Sequence, residues 1–441
     1  MPRKTPPLPA RPEGSSTSSV PRRPAANSRN NKVKDNQFDI DSLSPRRKIV
    51  VGVQFLFVAF GATVLVPLLV GMDPATALFS AGCGTLIFHL VTKGLVPVFL
   101  GSSFAYIPPI LLASQKWGMG GTLTAFIGVA LVYFAVSLLV KLRGTRFLDR
   151  FFPPEVVGPT IMLIGLSLAP SAVDMAKENW LLAIIALAVA VSIIIFFRGL
   201  MKLIPIVSGV IVSYIVAICL GKVDYSGILS ADWLSLPQNI EHWQMPHFAW
   251  EPFLCMIPIA FCSIIEHVGD IYVIGQVVRK DFVHKPGLHR TLLGDGLAIL
   301  FGSLVGGPPV TTYSEVTGAI EITRVTNPQV LRITAITAIL FSVMGKLGAF
   351  LLSIPTAILG GIMLLLFGSI AIVGIQNLMI NKVDFNNSRN IVIAGIMLTT
   401  GIGGVAINSG TFTLSGVALS SLIGIVLNII LPRKSSGKQD Q

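Results

Sequence analysis

The stretch Gly306-Gly-Pro-Pro-Val-Thr-Thr-Tyr-Ser-Glu-Val-Thr-Gly318 lies inside a strongly apolar part of the chain. Its two glycines and two prolines forbid a continuous helix through residues 306–309. Non-helical backbone exposes N–H and C=O groups, each costing several kcal/mol if it faces lipid. Such a segment survives at membrane depth only where it lines a cavity within the protein. With the carboxylate of Glu315 directly after the break, the stretch reads as a binding site in a membrane protein.

The surrounding composition agrees. Of 441 residues, 52% are hydrophobic and only 12% charged, about half the charged share of a soluble domain. Apolar runs long enough to cross a bilayer recur along most of the length. The formal net charge of +12 does not point to nucleic acid, because residues 1–48 carry eleven Lys/Arg against four acids. The other basic residues gather in loops between apolar runs, as the positive-inside bias predicts. Cys83, Cys219, Cys255 and Cys262 all fall in apolar segments without metal-ligand spacing, and read as buried small hydrophobes.

Residues 1–47 are rich in Pro, Arg, Ser and Asn and read as a disordered basic cytoplasmic tail, an organellar transit peptide being the lesser alternative. Spans follow near 49–71, 76–94, a broken 97–114, 121–140, 155–172, 179–197 and 203–221. A polar connection at 222–250 carries Trp233, Trp243 and Trp250, suited to an outer interface. The second half offers spans near 252–277, 290–305, a broken 308–322, 329–350, 355–376, 390–406 and 412–432. With the N-terminus inside, Lys141, Arg143, Arg146, Arg198, Lys202, Arg279, Lys280, Lys285, Arg290, Lys382, Arg389, Arg433 and Lys434 all reach the cytoplasm. The expected fold is therefore all-α and polytopic, with fourteen transmembrane segments.

Equivalent features of the two halves stand about 200–210 residues apart, which predicts an internal repeat. Because seven is odd, the second copy must enter the membrane from the opposite side. Inverted repeats with Gly/Pro-interrupted segments at matching positions point to a secondary transporter.

The mate of the opening stretch is Leu100-Gly-Ser-Ser-Phe-Ala-Tyr-Ile-Pro-Pro109. Gly101 frees the backbone, Ser102 or Ser103 can cap the following helix, and Phe104 at the break suits a flat, π-faced ligand. In Cys262-Ser-Ile-Ile-Glu-His-Val-Gly-Asp270, Glu266 and Asp270 share a helix face, while His267 points elsewhere and reads as packed or interfacial. Acids inside an apolar span face a cavity, a substrate or a proton path. Asp295 is expected to hydrogen-bond hydroxyls or backbone of the broken segments, or to serve proton transfer. Glu321 and Arg324, at i, i+3, predict a local ion pair. Ionised Glu266 and Glu315 offer only acceptors and so select a ligand rich in N–H donors, while backbone N–H groups at the breaks meet its carbonyls. Alternating ring N–H and C=O groups describe an oxo-pyrimidine or oxo-purine.

Five pieces carry a family resemblance: Phe60-Gly-Ala-Thr-Val-Leu-Val-Pro67, Gly101-Ser-Ser-Phe104, Glu266-His-Val-Gly269, Pro286-Gly-Leu-His-Arg290, and Thr311-Thr-Tyr313 with Glu315. Together they resemble the nucleobase–ascorbate (nucleobase:cation symporter-2) family, bacterial uracil permeases most closely, over residues 48–432. The resemblance implies a core domain (48–142 and 251–350) and a gate domain (143–221 and 351–432), with a connection at 222–250 and a C-terminal tail at 433–441. It also implies proton-coupled nucleobase import with elevator-like movement, in a homodimer in the cell (inner) membrane with both termini cytoplasmic. No cofactor is implied beyond the coupling proton, and no nucleic acid partner. Substrate contacts carry over to Ala62, Phe104, Glu266, Ser314 and Glu315, and proton coupling to Glu266, Asp270 and Asp295. Gly101, Ser103, Tyr313 and Gly318 would shape the site.

The chain departs from the family pattern at Val316, where Asn is usual, and at Ser314, where uracil permeases often have Gly. Asp270 stands where some uracil permeases have His and many relatives, purine carriers included, have Asp. Glu315, where purine carriers commonly have Gln, favours a pyrimidine, so uracil leads and xanthine or another purine base follows. An anion carrier of the same seven-plus-seven architecture is a further alternative, opposed by the acids at the site. An intramembrane enzyme finds neither a metal-ligand cluster nor a nucleophile–base pair at suitable spacing.

Overall fold

The computed structural model describes residues 45–145, 153–198, 201–202, 204–237, 250–409 and 412–432, without the side chains of Arg47, Ala62, Leu254, Cys255, Pro258, 408–409 and 412–415. Calls on the N-terminal tail before residue 45, on Trp243, Arg146, Arg433 and Lys434, and on the side chains of Ala62 and Cys255 lie outside the described residues.

The first half runs α1 (Pro45–Val70), α2 (Pro74–Val91), β1 (Leu100–Ser102), a 3₁₀ turn (Phe104–Tyr106), α3 (Ile107–Arg143), α4 (Pro154–Lys177), α5 (Trp180–Phe196) and α6 (Pro205–Cys219). The second runs α7 (Trp250–Val278), α8 (Leu288–Val305), β2 (Val310–Thr312), α9 (Ser314–Thr323), α10 (Pro328–Ser342), α11 (Gly345–Leu352), α12 (Thr356–Ile380), α13 (Ser388–Ile402), a β3–β4 hairpin (Ala406–Ser409, Phe412–Ser415) and α14 (Gly416–Ile430). Local chemistry sets several starts. Asp73 accepts from the N–H groups of Ala75 (3.1 Å) and Thr76 (3.0 Å) ahead of α2, and Asn327 accepts from Gln329 N–H (2.8 Å) ahead of α10.

Helix α3 is two helical pieces in one. Gly118, at φ 67° and ψ −175°, interrupts it, much as left-handed Arg324 (φ 59°) and the turn to Asn327 separate α9 from α10. The halves thus repeat in the same order. Their packing also exchanges: α3 packs on α8 as α10 packs on α2, and α7 on α3 as α10 on α1. Likewise α12 packs on α5 as α13 on α4, and α5 on α6 as α13 on α14. These contacts sort the helices into two groups, α1–α3 with α7, α8 and α10, and α4–α6 with α12–α14. In the second group α4 and α12 lie so close that a Cβ on Gly165 would stand 2.3 Å from the Phe367 carbonyl.

Among the described residues, seven helices are long and apolar enough to cross a membrane, eight if α10 and α11 count as one bent span, and four shorter apolar helices accompany them. The expected span 329–350 is instead broken, with α11 bent 81° from α10. The last two expected spans are shorter than read, because Ala406–Ser409 pairs with Phe412–Ser415 as antiparallel strands. Cys219 is exposed and Cys83 half-buried rather than buried, while Cys262 is buried. No ion pair forms between Glu321 and Arg324, since Arg324 turns left-handed as the helix cap.

Candidate functional site

The two interrupted segments meet. β1 and β2 pair antiparallel, Leu100 opposite Thr312 and Ser102 opposite Val310. Ser103 N–H donates to Pro309 O (3.0 Å) and Tyr313 N–H to Phe99 O (3.2 Å), extending the ladder at both ends. Each non-helical stretch thereby satisfies the other's backbone, which is how extended chain is held within apolar surroundings. From α2, the Thr85 hydroxyl accepts from Leu100 N–H at 2.9 Å. Gly306 ends α8 in the left-handed region at φ 83°, turning the chain into β2.

The role of Gly101 is spatial rather than conformational. A Cβ there would stand 2.3 Å from the Tyr313 ring and 2.7 Å from Thr63 Oγ1. Tyr313, buried, donates its hydroxyl to Ser102 O (2.8 Å) across the strand pair. Neither Ser102 nor Ser103 caps the following helix: Ser102 Oγ donates to Thr63 O (3.1 Å), and Ser103 makes no side-chain cap bond. The 3₁₀ turn starting at Phe104 and α9 starting at Ser314 therefore both begin without a side-chain cap. Apart from the Glu315 N–H, which its own carboxylate accepts, no side chain takes their first N–H groups, which remain as donors.

These two starts border one cavity of about 70 Å³, several times what one water needs. Ser103, Phe104, Ala105, Thr311, Thr312, Tyr313, Ser314 and Glu315 line it from the strand pair and the helix starts that follow, and Glu266 from α7. Ile161 and Ile164 of α4, with Ile370 and Val373 of α12, form its opposite, apolar wall. The cavity thus lies between the two packing groups. Phe104 stands edge-on to Phe367 of α12, centroids 6.2 Å apart at 87°.

The acids divide sharply. Asp270 accepts from Thr312 Oγ1 (2.9 Å) and from Ser314 Oγ (2.6 Å). Asp295, expected against the broken segments, lies instead 2.8 Å from His267 Nδ1, both side chains being fully buried. His267 Nε2 donates to Thr291 Oγ1 at 2.9 Å, that hydroxyl being committed as donor to Leu288 O. His267 therefore does not face an interface; it ties α7 to α8. Among the described residues no side chain hydrogen-bonds the carboxylate of Glu266 or of Glu315. Among the described residues no Lys or Arg lines the cavity.

Of the expected site residues, Phe104, Glu266, Ser314, Glu315, Ser103 and Tyr313 come together around the cavity, and Asp270 stands directly behind Ser314. Gly101 lies one layer back under Tyr313. Gly318 is not part of the lining. The side chain of Ala62, on α1, is outside the described residues. Sequence reading missed Thr311 and Thr312 as lining residues, together with the whole isoleucine–valine wall. The wall had one faint signal: its two i, i+3 pairs stand at the repeat offset of about 210 residues.

A mostly helical polytopic membrane protein with two paired broken segments and a cavity between two helix groups is thereby defined. The fold is shared with solved membrane transporters. The transmembrane domain of a cyanobacterial bicarbonate transporter, BicA, aligns at TM-score 0.61 with 14% identity, covering 87% of this chain and 96% of that one. The murine Slc26a9 anion transporter aligns at TM-score 0.65 with 12% identity, covering 94% and 76%. Residues 46–410 match the family model described as "Permease family", and the chain belongs to that family, the nucleobase–ascorbate transporters. Similar members include a probable uracil permease of Haemophilus influenzae, 48% identical over 402 residues (89% of this chain, 96% of that protein). Uracil permeases of Bacillus subtilis (40% over 421 residues, 91% and 96%) and Escherichia coli (39% over 393 residues, 87% and 90%) are also similar.

Proposed function

We propose that this chain imports a nucleobase, uracil first, by proton symport. The observation that carries the reading is the pair of carboxylates without a side-chain partner among the described residues, Glu266 and Glu315, on one cavity with two helix starts that lack a side-chain cap and the Phe104 ring. Ionised carboxylates accept from ring N–H groups, and N–H groups at the helix starts donate to ring carbonyls. Phe104 packs on the ring face. That donor–acceptor alternation suits a dioxopyrimidine and leaves an anion without a cation to meet it, so the anion-carrier alternative is set aside despite the shared fold. The names of the similar permeases support the same substrate class.

The proton rides on the carboxylates of the site, Asp270 and Glu266 foremost, with Asp295 behind them. The first packing group acts as a core that carries the substrate, and the second as a gate against which it slides in an elevator movement. The cavity's placement between the groups supports this division. The protein works as a homodimer in the cell membrane with both termini cytoplasmic. Uptake of labelled uracil into membrane vesicles under an imposed inward proton gradient tests the reading. Saturable uptake abolished by a protonophore is expected. Absence of saturable uptake of any nucleobase overturns it, and uptake of xanthine alone moves the substrate to the purines.

A further inference from the structure

We propose that Asp270 is a positioning residue for Ser314, holding that hydroxyl away from the bound base so that this chain can carry a side chain where the ligand must approach backbone. The inference rests on the nucleobase-binding reading above and concerns how that site is kept open.

One carboxylate serves two hydroxyls on either side of the break. Asp270 Oδ2 accepts from Thr312 Oγ1 at 2.9 Å, and Oδ1 from Ser314 Oγ at 2.6 Å. In extended chain, residues 312 and 314 face one side and 313 the other. Tyr313 accordingly packs across the strand pair, over Gly101 and onto Ser102 O, while both hydroxyls turn to α7. Asp270 and Thr312 are buried, whereas Ser314 lines the cavity and is open to it.

The Ser314 hydroxyl can take one of three staggered positions, and the short 2.6 Å bond to Asp270 selects one of them. Without that acceptor the hydroxyl is free to turn into a cavity of about 70 Å³. There it would occupy space beside the first N–H groups of α9 and offer a competing hydrogen bond to Glu315. An acid at 270 and a serine at 314 are in this sense a matched pair. The same carboxylate, bonded to both residues flanking Tyr313, also fixes the angle at which β2 enters α9.

Equilibrium uracil binding by the purified, detergent-solubilised full chain, with no proton gradient, separates positioning from energy coupling. Asp270→Ala is expected to weaken binding tenfold or more. In a Ser314→Gly background, which removes the hydroxyl to be held, the same substitution is expected to cost less than threefold. Asp270→Asn, which keeps one acceptor oxygen, should fall between. Thermal melting of each variant checks that a loss of binding is not a loss of fold. If Asp270→Ala leaves affinity unchanged, or costs as much with Gly at 314 as with Ser, the pairing is overturned. If the unaltered protein binds no nucleobase, the substrate reading itself fails, which the wild-type titration reveals before any variant is compared.

Discussion

Glu155 and Glu266 are both glutamates on helices packed inside a membrane protein, and they are treated in opposite ways. Glu155, in the first turn of α4, lies 2.8 Å from Arg389 Nη1 of α13. The same guanidinium donates through Nη2 to Asn428 O (2.9 Å) and to the Asn428 side chain on α14. One arginine thereby closes three helices of the second group around a neutralised acid. Glu266 has no such partner among the described residues, and its carboxylate faces the cavity. Burying a charge costs several kcal/mol unless it is compensated. One glutamate is given an arginine and the other is left open to the cavity, which supports the proposed role of Glu266 in binding the base. On the proposed reading Glu155 is a scaffold acid and Glu266 a working acid.

That contrast can be broken most directly at the working acid. Glu266→Gln and Glu315→Gln should each weaken uracil binding by about 10- to 100-fold, the worth of a charge-assisted hydrogen bond of about 1.5–3 kcal/mol, with little change in melting temperature. Isothermal titration against uracil, paired with thermal melting, reads both. Wild-type affinity in both variants would remove the two glutamates from the site. The scaffold acid predicts the reverse. Arg389→Ala strands Glu155 in a half-closed setting and should cost about 3 kcal/mol of stability, the low end for a broken buried pair, seen as a lowered melting temperature. Surviving folded protein should bind uracil with near-normal affinity. Loss of affinity at unchanged stability would erase the distinction.

A third substitution lies between the two kinds of effect. Gly101→Ala places a methyl 2.3 Å from the Tyr313 ring and should cost about 1–3 kcal/mol by overpacking, with uracil affinity falling because Tyr313 and the start of α9 shift together. Unchanged melting and affinity would mean the strand pair yields more easily than its packing implies. The smallest effect is expected at an acid outside the membrane-spanning segments. Asp281 is fully exposed, and its bond with His284 (2.5 Å) holds its carboxyl below the usual range. A depressed carboxyl pKa stabilises above the unfolded value and loses that contribution as pH falls through the folded one. Because the pair is solvated and screened, Asp281→Asn should leave melting unchanged at neutral pH and down through the carboxylate range. A clear pH-dependent shift would show that this loop bears on the fold.

Much of the site was legible because its elements break rules that the rest of the chain obeys. Gly-Gly-Pro-Pro at 306–309 cannot be helix, and acids inside apolar runs need a reason. Those signals found both interrupted segments, Phe104, Glu266, Asp270 and Glu315. Where a residue conformed to its surroundings, nothing marked it. Ile161, Ile164, Ile370 and Val373 are ordinary membrane-helix residues, and only packing makes them the far wall of the cavity. Partner choice was equally hidden. Asp295 could have met hydroxyls, backbone or histidine, and the approach of α8 to α7 gave it His267. Gly101 was read as a flexible backbone point when its absent side chain is what admits Tyr313.

The sequence by itself determined a polytopic helical membrane protein with two interrupted segments and a surplus of intramembrane acids, because hydropathy, Gly/Pro chemistry and the cost of burying charge are local properties of residues. Only the tertiary structure decided that the two interruptions satisfy each other as a strand pair, that Asp270 and Asp295 are engaged while Glu266 and Glu315 are open, and that a second helix group closes the cavity. Those outcomes depend on which groups come within about 3 Å of one another, the reach of a hydrogen bond. Residues some 200 apart acquire that proximity only when the helices pack.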